Sequence, residues 1–325
     1  MSLLENINDN YRREIDMLNS RINSRLESAN PLMKQIVNTL LRTKGKQLRP
    51  LLLIMCAKMF APVNEKIIAA AASVELIHNA SLIHDDVVDN SMTRRNAPTV
   101  NAVWDNQIAV LVGDYFTSTA MHEAISTGNV GIISTLCELG RDLSLGEIDQ
   151  IYVAREHMLE QKNYFRIIDY KTGSLFIAAA TMGCMAAGAS EADTKRLAEY
   201  ARLFGRCFQL RDDIFDYFEE GIVGKPTGND LREGKVTLPL LLALYNASED
   251  AKQPILKLLA KDHLSDDEIA IILDFARQNG GIEGAYAVME NLRCQAMECL
   301  APFSDDIPQK KELQELFSFI IERQY

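Results

Sequence analysis

Apolar residues along the 325-residue chain recur at three- and four-residue intervals, and polar punctuation cuts this rhythm into segments of helical length. The pattern predicts helices over 10–26, 31–43, 51–60, 65–84, 105–126, 130–156, 160–188, 191–219, 237–245, 255–259, 266–279, 281–300 and 310–324. No run alternates with period two for long enough to predict a strand. The helices are long and largely apolar, as in a large bundle whose innermost members are buried all round. The most apolar stretch, 175–189, is shorter than a bilayer requires and reads as a buried helix. Loops fall at 43–46, 90–99 and 221–234, and all three carry basic residues. The expected fold is all-α, a single-domain helical bundle over 1–325, because no linker, low-complexity stretch or composition shift marks a boundary.

Composition sharpens this. Hydrophobic residues make up 47% of the chain, ample for a large core. The net charge of −11 disfavours nucleic acid as a partner, since phosphate backbones need a basic stripe. Basic clusters therefore carry more information here than in a cationic protein. Residues 1–13 are polar and lack the apolar core of a signal peptide. The six cysteines (Cys56, Cys137, Cys184, Cys207, Cys294, Cys299) form no Cys-x-x-Cys pair and read as buried free thiols of a cytoplasmic protein.

Two segments stand out against the apolar background: Asp85-Asp86-Val87-Val88-Asp89 and Asp212-Asp213-Ile214-Phe215-Asp216. On a helix, positions i and i+4 share a face, so Asp85/Asp89 and Asp212/Asp216 are carboxylate pairs. Like charges at that spacing disfavour the helix by about 0.2–0.5 kcal/mol per pair. A cation must compensate, and hard oxygen donors in this arrangement suit Mg²⁺, which completes its shell with water and phosphate oxygens. A single such segment reads as a solvated acidic turn; two with identical spacing do not. Asp266-Asp267-Glu268 differs, because Ser265 and Glu268 have the spacing of a helix capping box.

Cations lie close by in sequence. Lys46 and Arg49 open a helix, where free N–H groups and the helix dipole favour an anion. Arg94 and Arg95 follow the first Asp cluster, and Lys225 and Lys235 follow the second within a glycine-containing loop. Lys171-Thr172 interrupts an apolar helix. His78 lies two turns before Asp85 on its face, and Gln209 one turn before Asp212. Any one of these alone is compatible with a solvated or structural role; together they suggest a diphosphate held through Mg²⁺ beside an apolar interior.

At this point the chain resembles the trans-prenyl diphosphate synthases over nearly its whole length. The resemblance is carried, in order, by Gly45-Lys46-Gln47-Leu48-Arg49-Pro50, Glu75-Leu76-Ile77-His78, Leu82 to Asp89, Arg94-Arg95, Gly113-Asp114, Lys171-Thr172-Gly173, Phe208 to Asp216, Lys225, Asn229-Asp230, Gly234-Lys235 and Phe319 to Arg323. Lys44 replaces the first glycine of the family's usual pair, and Phe215 stands where Leu is commoner. The resemblance implies the isoprenoid synthase fold with a central substrate cavity. It implies that Lys46, Arg49, His78 and Arg95 bind the diphosphate of isopentenyl diphosphate. Asp85, Asp89, Asp212 and Asp216 would hold about three Mg²⁺ ions on an allylic diphosphate, with Asp86 and Asp213 completing the catalytic motifs. Arg94, Lys171, Gln209, Lys225 and Lys235 would complete that second anion site, and Thr172 and Gln209 would border the allylic cation. It further implies a homodimer, primed by farnesyl or geranyl diphosphate, with transient membrane contact for release of an apolar product.

Product length turns on Ala80 and Ser81, about one turn before the first cluster. In short-chain relatives a Phe or Tyr near here closes the tunnel; two small residues predict a long product, octaprenyl as the central value. Three alternatives share much of this pattern: a terpene cyclase, which carries a different second metal motif; a farnesyl or geranylgeranyl diphosphate synthase; and a non-catalytic subunit, which tends to lose the ligands this chain keeps.

Overall fold

The computed structural model describes residues 9–42, 45–218, 227–261 and 263–322. Helices α1 (Arg12–Arg25), α2 (Pro31–Arg42), α3 (Leu48–Lys58) and α4 (Glu65–Val88) lead to a short hairpin of β1 (Thr93–Arg94) and β2 (Ala97–Pro98). These strands pair antiparallel, Thr93 opposite Pro98 and Arg94 opposite Ala97. There follow α5 (Val100–Val103), α6 (Asn106–Ser126), α7 (Val130–Arg155), α8 (Gln161–Ile168), a π-helical turn (Asp169–Gly173), α9 (Ser174–Ala187) and α10 (Glu191–Phe215). The chain continues through α11 (Asn229–Arg232), α12 (Leu238–Asn246), α13 (Glu249–Leu259), α14 (Asp266–Gln278), α15 (Gly281–Leu300) and α16 (Pro308–Glu322). The all-α expectation is met.

Several departures from the sequence pattern have local causes. Residues 160–188 form two α-helices around a π turn, because Lys171-Thr172-Gly173 takes one residue more per turn than its neighbours. The loop over 90–99 folds into a hairpin whose central residues, Arg95 and Asn96, have φ of 52° and 61°, the left-handed pair that a type I′ turn needs. Helix α3 starts at Leu48, before the predicted 51: Gln47 caps it with φ of 49°, so Lys46 lies just outside and Arg49 inside α3. Helix α13 begins at Glu249, capped by Ser248 and carrying Pro254 inside it. The capping box at Ser265 and Glu268 is present. Cys56, Cys184 and Cys207 are buried, but Cys137 and Cys294 are exposed and Cys299 half-buried; all six are free. Apolar neighbours in sequence did not fix which side of the helix those three occupy.

Chain contacts divide the protein into two compact units. The first takes Met1–Arg141, Leu175–Ala198 and Phe303–Leu313. Its centre is α4, buried without interruption from Ile67 to His78. Asn64 starts this helix by accepting the N–H groups of Lys66 and Ile67. Small residues let neighbouring helices approach closely. A Cβ on Gly113 of α6 would lie 2.2 Å from His84 Nε2 of α4, and one on Gly183 of α9 would lie 2.4 Å from the Leu53 carbonyl oxygen of α3. Glu123 is fully buried and is held by Arg21 and by Arg25 at 2.6 Å. On the outer side of α6, Val110, Leu111, Met121 and Ile125 stay 42–63% exposed. Among the described residues, α4 alone is long and apolar enough to cross a membrane, and 78% of its most apolar window is buried in the protein, as in a core helix.

The second unit takes Asp142–Ser174, Glu199–Pro302 and Gln314–Tyr325. Its core joins Tyr217, Leu231, Leu240, Ile255, Ile272 and Phe275 from the segments around α11 to α14. A second patch is aromatic: Tyr200 and Phe204 meet Phe317 edge-on at 5.8 and 5.6 Å.

The Gly183 contact predicts a stability effect. Gly183→Ala forces Cβ against the backbone of α3 and should cost about 1–3 kcal/mol, read as a lower urea midpoint at unchanged slope. Unchanged stability would show that α9 can withdraw from α3 at no cost.

Candidate active site

In the first unit, Asp85 is in the last turn of α4 and Asp89 is its C-cap; neither that turn nor the equivalent turn of α10 contains a basic residue. Both carboxylates therefore stand at the negative pole of a helix, where an anion is disfavoured by about 0.3–1 kcal/mol. Asp85 is half-buried and Asp89 exposed. Asp86 points elsewhere, a rotation of one residue around the helix placing it in the interior. Arg94 closes on it, with Nε and Nη2 each 2.7 Å from Oδ1. Burial raises the pKa of Asp86 and the Arg94 guanidinium opposes that shift.

Behind this pair, buried Glu75 and His78, half-buried Arg49 and exposed Arg95 form one polar group. Arg49 lies over the Phe176 ring at 4.8 Å. The Arg95 guanidinium occupies the space beside Gly45, where a Cβ would meet Nη2 at 2.5 Å. Gly45 is thus required for room, not for its backbone angles. Burial, then the charges of Arg49, Arg95 and Arg94, push the His78 pKa well below its ordinary value, so the imidazole is neutral. Its Nδ1 is buried and has no hydrogen-bond partner among the described residues, as an imidazole waiting for a ligand would be. Burial raises the pKa of Glu75, against the pull of Arg49 and Arg95 and of hydrogen bonds from Asn79 and Gln47. A cavity of about 80 Å³ opens here, its lining including Gly45, Gln47, Glu75, Asn79, Arg94 and Arg95. Lys46 is exposed beside Gly45. Ala80 is buried, and Ser81 donates its hydroxyl to the His78 carbonyl at 2.9 Å.

In the second unit, Asp212 is exposed in the last turn of α10. Asp213, again the second of its cluster, is buried and held on both oxygens: Tyr164 Oη donates to Oδ2 at 2.5 Å and Gln209 Nε2 to Oδ1 at 2.8 Å. Burial pushes its pKa up to about 7. Thr172 Oγ1 donates to Gln209 Oε1 at 2.7 Å. Asp216 accepts the backbone N–H groups of Asn229 and Asp230, each at 3.0 Å, and so ties down the start of α11. Burial, then the charges of Asp213 and Asp216, drive the Asp230 carboxyl well above its ordinary pKa. Lys171 in the π turn is paired with Glu147 and donates to Gln150 at 3.0 Å. Lys235 pairs with Glu233. Lys225 lies outside the described residues.

The structure thus brings together Arg49, His78, Arg94 and Arg95 in one group, and Thr172, Gln209 and Asp213 in another. Sequence reasoning placed Gly45, Glu75 and Asp230 in matched motifs without giving them a role, and missed Tyr164. Glu75 had a usable signal, being one helical turn before His78. Tyr164 had none, because the π turn between it and Thr172 breaks helical phase. Among the described residues no three His, Cys, Asp or Glu side chains form a self-contained metal cage. Carboxylates at helix ends instead suit Mg²⁺, which binds through one or two of them and through substrate phosphates.

Glu75 supplies a pH test. Its folded-state pKa lies above its unfolded value, so folding penalises the ionised form; the stability of the neutral form holds below the usual carboxylate range and is lost as pH rises through the raised pKa. Glu75→Gln should raise the Tm at pH 8 and raise it less at pH 5, by scanning calorimetry. Equal shifts at both pH values would exclude the charge as the cause.

Comparison with known proteins accords with this geometry. The polyprenyl synthetase family model matches residues 30–275. Octaprenyl diphosphate synthase of Escherichia coli (strain K12) is 35% identical over 253 residues, 78% of each chain. The crystal structure of a decaprenyl diphosphate synthase from Rhodobacter capsulatus superposes with a TM-score of 0.93 at 31% identity, covering 99% of both chains. A polyprenyl synthase from Caulobacter crescentus CB15, complexed with calcium and isoprenyl diphosphate, gives 0.91 at 29% identity, covering 99% of this chain and 98% of that one. With acidic clusters ending two helices and arginines around the buried His78 behind the first, this chain belongs to the polyprenyl synthetase family, whose members are prenyltransferases.

Proposed function

We propose that the chain is a Mg²⁺-dependent synthase that adds isopentenyl diphosphate units in 1′–4 condensations to farnesyl or geranyl diphosphate. The product is a long all-trans polyprenyl diphosphate, octaprenyl as the central value. The observation that carries this reading is a feature repeated at two helix ends: each presents carboxylates at a negative pole, a placement that bound cations make favourable. The divalent ion and isoprenyl diphosphate of the Caulobacter crescentus complex support the same chemistry.

Asp85, Asp89 and Asp212, with Asp216, supply the carboxylates for about three Mg²⁺ ions on the allylic diphosphate. Bound Mg²⁺ supplies the charge that stabilises the departing diphosphate. Arg49, His78 and Arg95, with Lys46, take the diphosphate of isopentenyl diphosphate; the neutral imidazole and its buried Nδ1 fit a site that awaits an anion. Lys171, Lys225, Lys235 and Arg94 surround the allylic diphosphate. Thr172 and Gln209 border the allylic cation, whose lost proton goes to the departing diphosphate, so no side-chain nucleophile is needed. Ala80 and Ser81 leave room for a growing tail. The chain works as one synthase domain over 1–325, in the cytoplasm, with transient membrane contact for product release. It forms a homodimer, supported by the exposed apolar stripe of Val110, Leu111, Met121 and Ile125.

The test is a product assay with Mg²⁺, labelled isopentenyl diphosphate and farnesyl diphosphate, sized by chromatography after dephosphorylation. The expected ladder ends near the octaprenyl length, and Ala80→Phe should shorten it by several isoprene units. A farnesyl or geranylgeranyl stop in the parent protein would overturn the long-chain reading, and no product with any primer would favour a non-catalytic subunit.

Asp89→Asn separates charge from fold. It should abolish most product while stabilising the metal-free protein by about 0.3–1 kcal/mol, because a negative charge leaves the negative end of α4. A metal-free Tm that falls would show Asp89 to be a structural residue.

A further inference from the structure

Helix α3 begins at a residue in an unfavourable backbone state. Gln47 caps it with φ of 49° and ψ of 36°, the left-handed region in which a Cβ crowds the following carbonyl oxygen. Lys46 precedes this cap outside the helix, and Arg49 follows it in the first turn. A capping side chain ordinarily accepts an N–H of the helix it starts, yet that of Gln47 makes no such bond. It turns instead to α1. Asn19 Nδ2 donates to Gln47 Oε1 at 3.4 Å, and Gln47 Nε2 donates to Asn19 Oδ1 at 3.2 Å. Both amides are uncharged, and turning the two over together preserves both bonds. The pairing therefore depends neither on pH nor on the choice of amide face.

Helix α1 is itself fixed. Leu18 and Ile22 are buried, and Arg21 reaches Glu65 at 2.9 Å. At the far end of α3, Lys58 pairs with Glu14 at 2.9 Å and lies 4.4 Å from the centre of the Tyr11 ring. Side chains of α1 thus hold both ends of α3, one through an ion pair and the other through an amide pair. Asn19 and Gln47 also line the cavity shared by Glu75, Asn79 and Arg95.

We infer that Asn19 is a positioning residue for the isopentenyl diphosphate site: paired with Gln47, it keeps the start of α3 in its left-handed turn and so sets Lys46 and Arg49 about the diphosphate. The inference rests on the proposed function, in which those two residues bind that group. Helix α1 lies wholly outside residues 30–275, the part of the chain that the family model matches. Without the pair, Gln47 relaxes towards a right-handed or extended state, and the cations on either side of it lose their common setting. Holding them in place lowers the cost of binding without adding a contact.

Steady-state kinetics on the full chain test this. Asn19→Ala should raise the KM for isopentenyl diphosphate about fivefold, leaving kcat and the KM for farnesyl diphosphate within about twofold. Gln47→Ala should do the same, and the double variant should be no worse than either. Gln47→Gly separates backbone from side chain, because glycine adopts the left-handed state freely. Its KM for isopentenyl diphosphate should be lower than that of Gln47→Ala, and adding Asn19→Ala should change it by less than about twofold. Effects that multiply in the Asn19→Ala/Gln47→Ala variant, a fall in kcat at unchanged KM, or a Gln47→Gly KM as high as that of Gln47→Ala would each overturn the inference. Should Asn19→Ala fail to fold, Asn19→Leu, similar in shape but without the amide, gives the same reading. An arm without metal or substrate keeps the inference separate from the function it rests on. The Leu51 amide donates to the Gln47 carbonyl at 3.1 Å and so reports on the cap. Its hydrogen exchange should quicken about fivefold in Asn19→Ala, but not when Asn19→Ala is added to Gln47→Gly. Unchanged exchange in Asn19→Ala would overturn the inference even in an active enzyme, whereas quickened exchange in a protein that makes no product would overturn the proposed function alone.

Discussion

A carboxylate at the C-terminal end of a helix is in the wrong place. The last carbonyls of α4 and α10 already point negative partial charge out of the helix, and Asp85, Asp89 and Asp212 add full charges there. Neither last turn has a lysine or arginine to relieve the repulsion. The protein accepts this at two helix ends, while elsewhere it follows the favourable rule: Ser265 and Glu268 cap the start of α14, and Glu249 and Asp250 sit in the first turn of α13. The exceptions mark where a cation belongs. In the proposed function, stability lost locally favours binding of Mg²⁺ and diphosphate, since the helix ends gain most when positive charge arrives.

The second aspartate of each cluster explains how such ends stay ordered. Asp86 and Asp213 point inward, and each is gripped by donors: Arg94 for the first, Tyr164 and Gln209 for the second. One residue's rotation around a helix separates an outward-facing ligand from an inward-facing anchor. A pair of adjacent aspartates is therefore not redundant. The outer one meets the solvent side and the inner one fixes the helix end that carries it, at a desolvation cost visible in the raised pKa of both buried carboxyls.

Much of this was legible in the sequence, for reasons that show where legibility stops. Helical periodicity located most elements because the bundle buries one face or all faces of each helix, and the repeated Asp spacing located both helix ends. Local backbone exceptions were not legible. Asn96 adopts a left-handed angle that asparagine tolerates, but Arg95 beside it does not favour one, so the hairpin could not be read from propensity. The π turn hid Tyr164 by shifting phase, and the motif containing Gly45 gave no sign that this glycine leaves room for the Arg95 guanidinium. Cys137 and Cys294 were placed inside on composition, and azimuth around the helix decided otherwise.

The anion group of the first unit shows a tuning that a charge count misses. Three arginines around a buried histidine would, alone, make a site of excess positive charge that binds any phosphate. Glu75 lies among them and offsets part of that charge in a place where solvent cannot. His78 contributes no charge at all, being held neutral by its burial and, after that, by the same arginines. The balance left is modest, so in the proposed function affinity for a diphosphate depends on hydrogen-bond geometry at His78 and the arginine forks more than on bulk attraction. In the proposed function, product length answers to a different kind of constraint. Ala80 and Ser81 carry no charge, and Ser81 reaches His78 only through its backbone carbonyl, so sterics along one face of α4 and electrostatics at its end can vary independently within one helix.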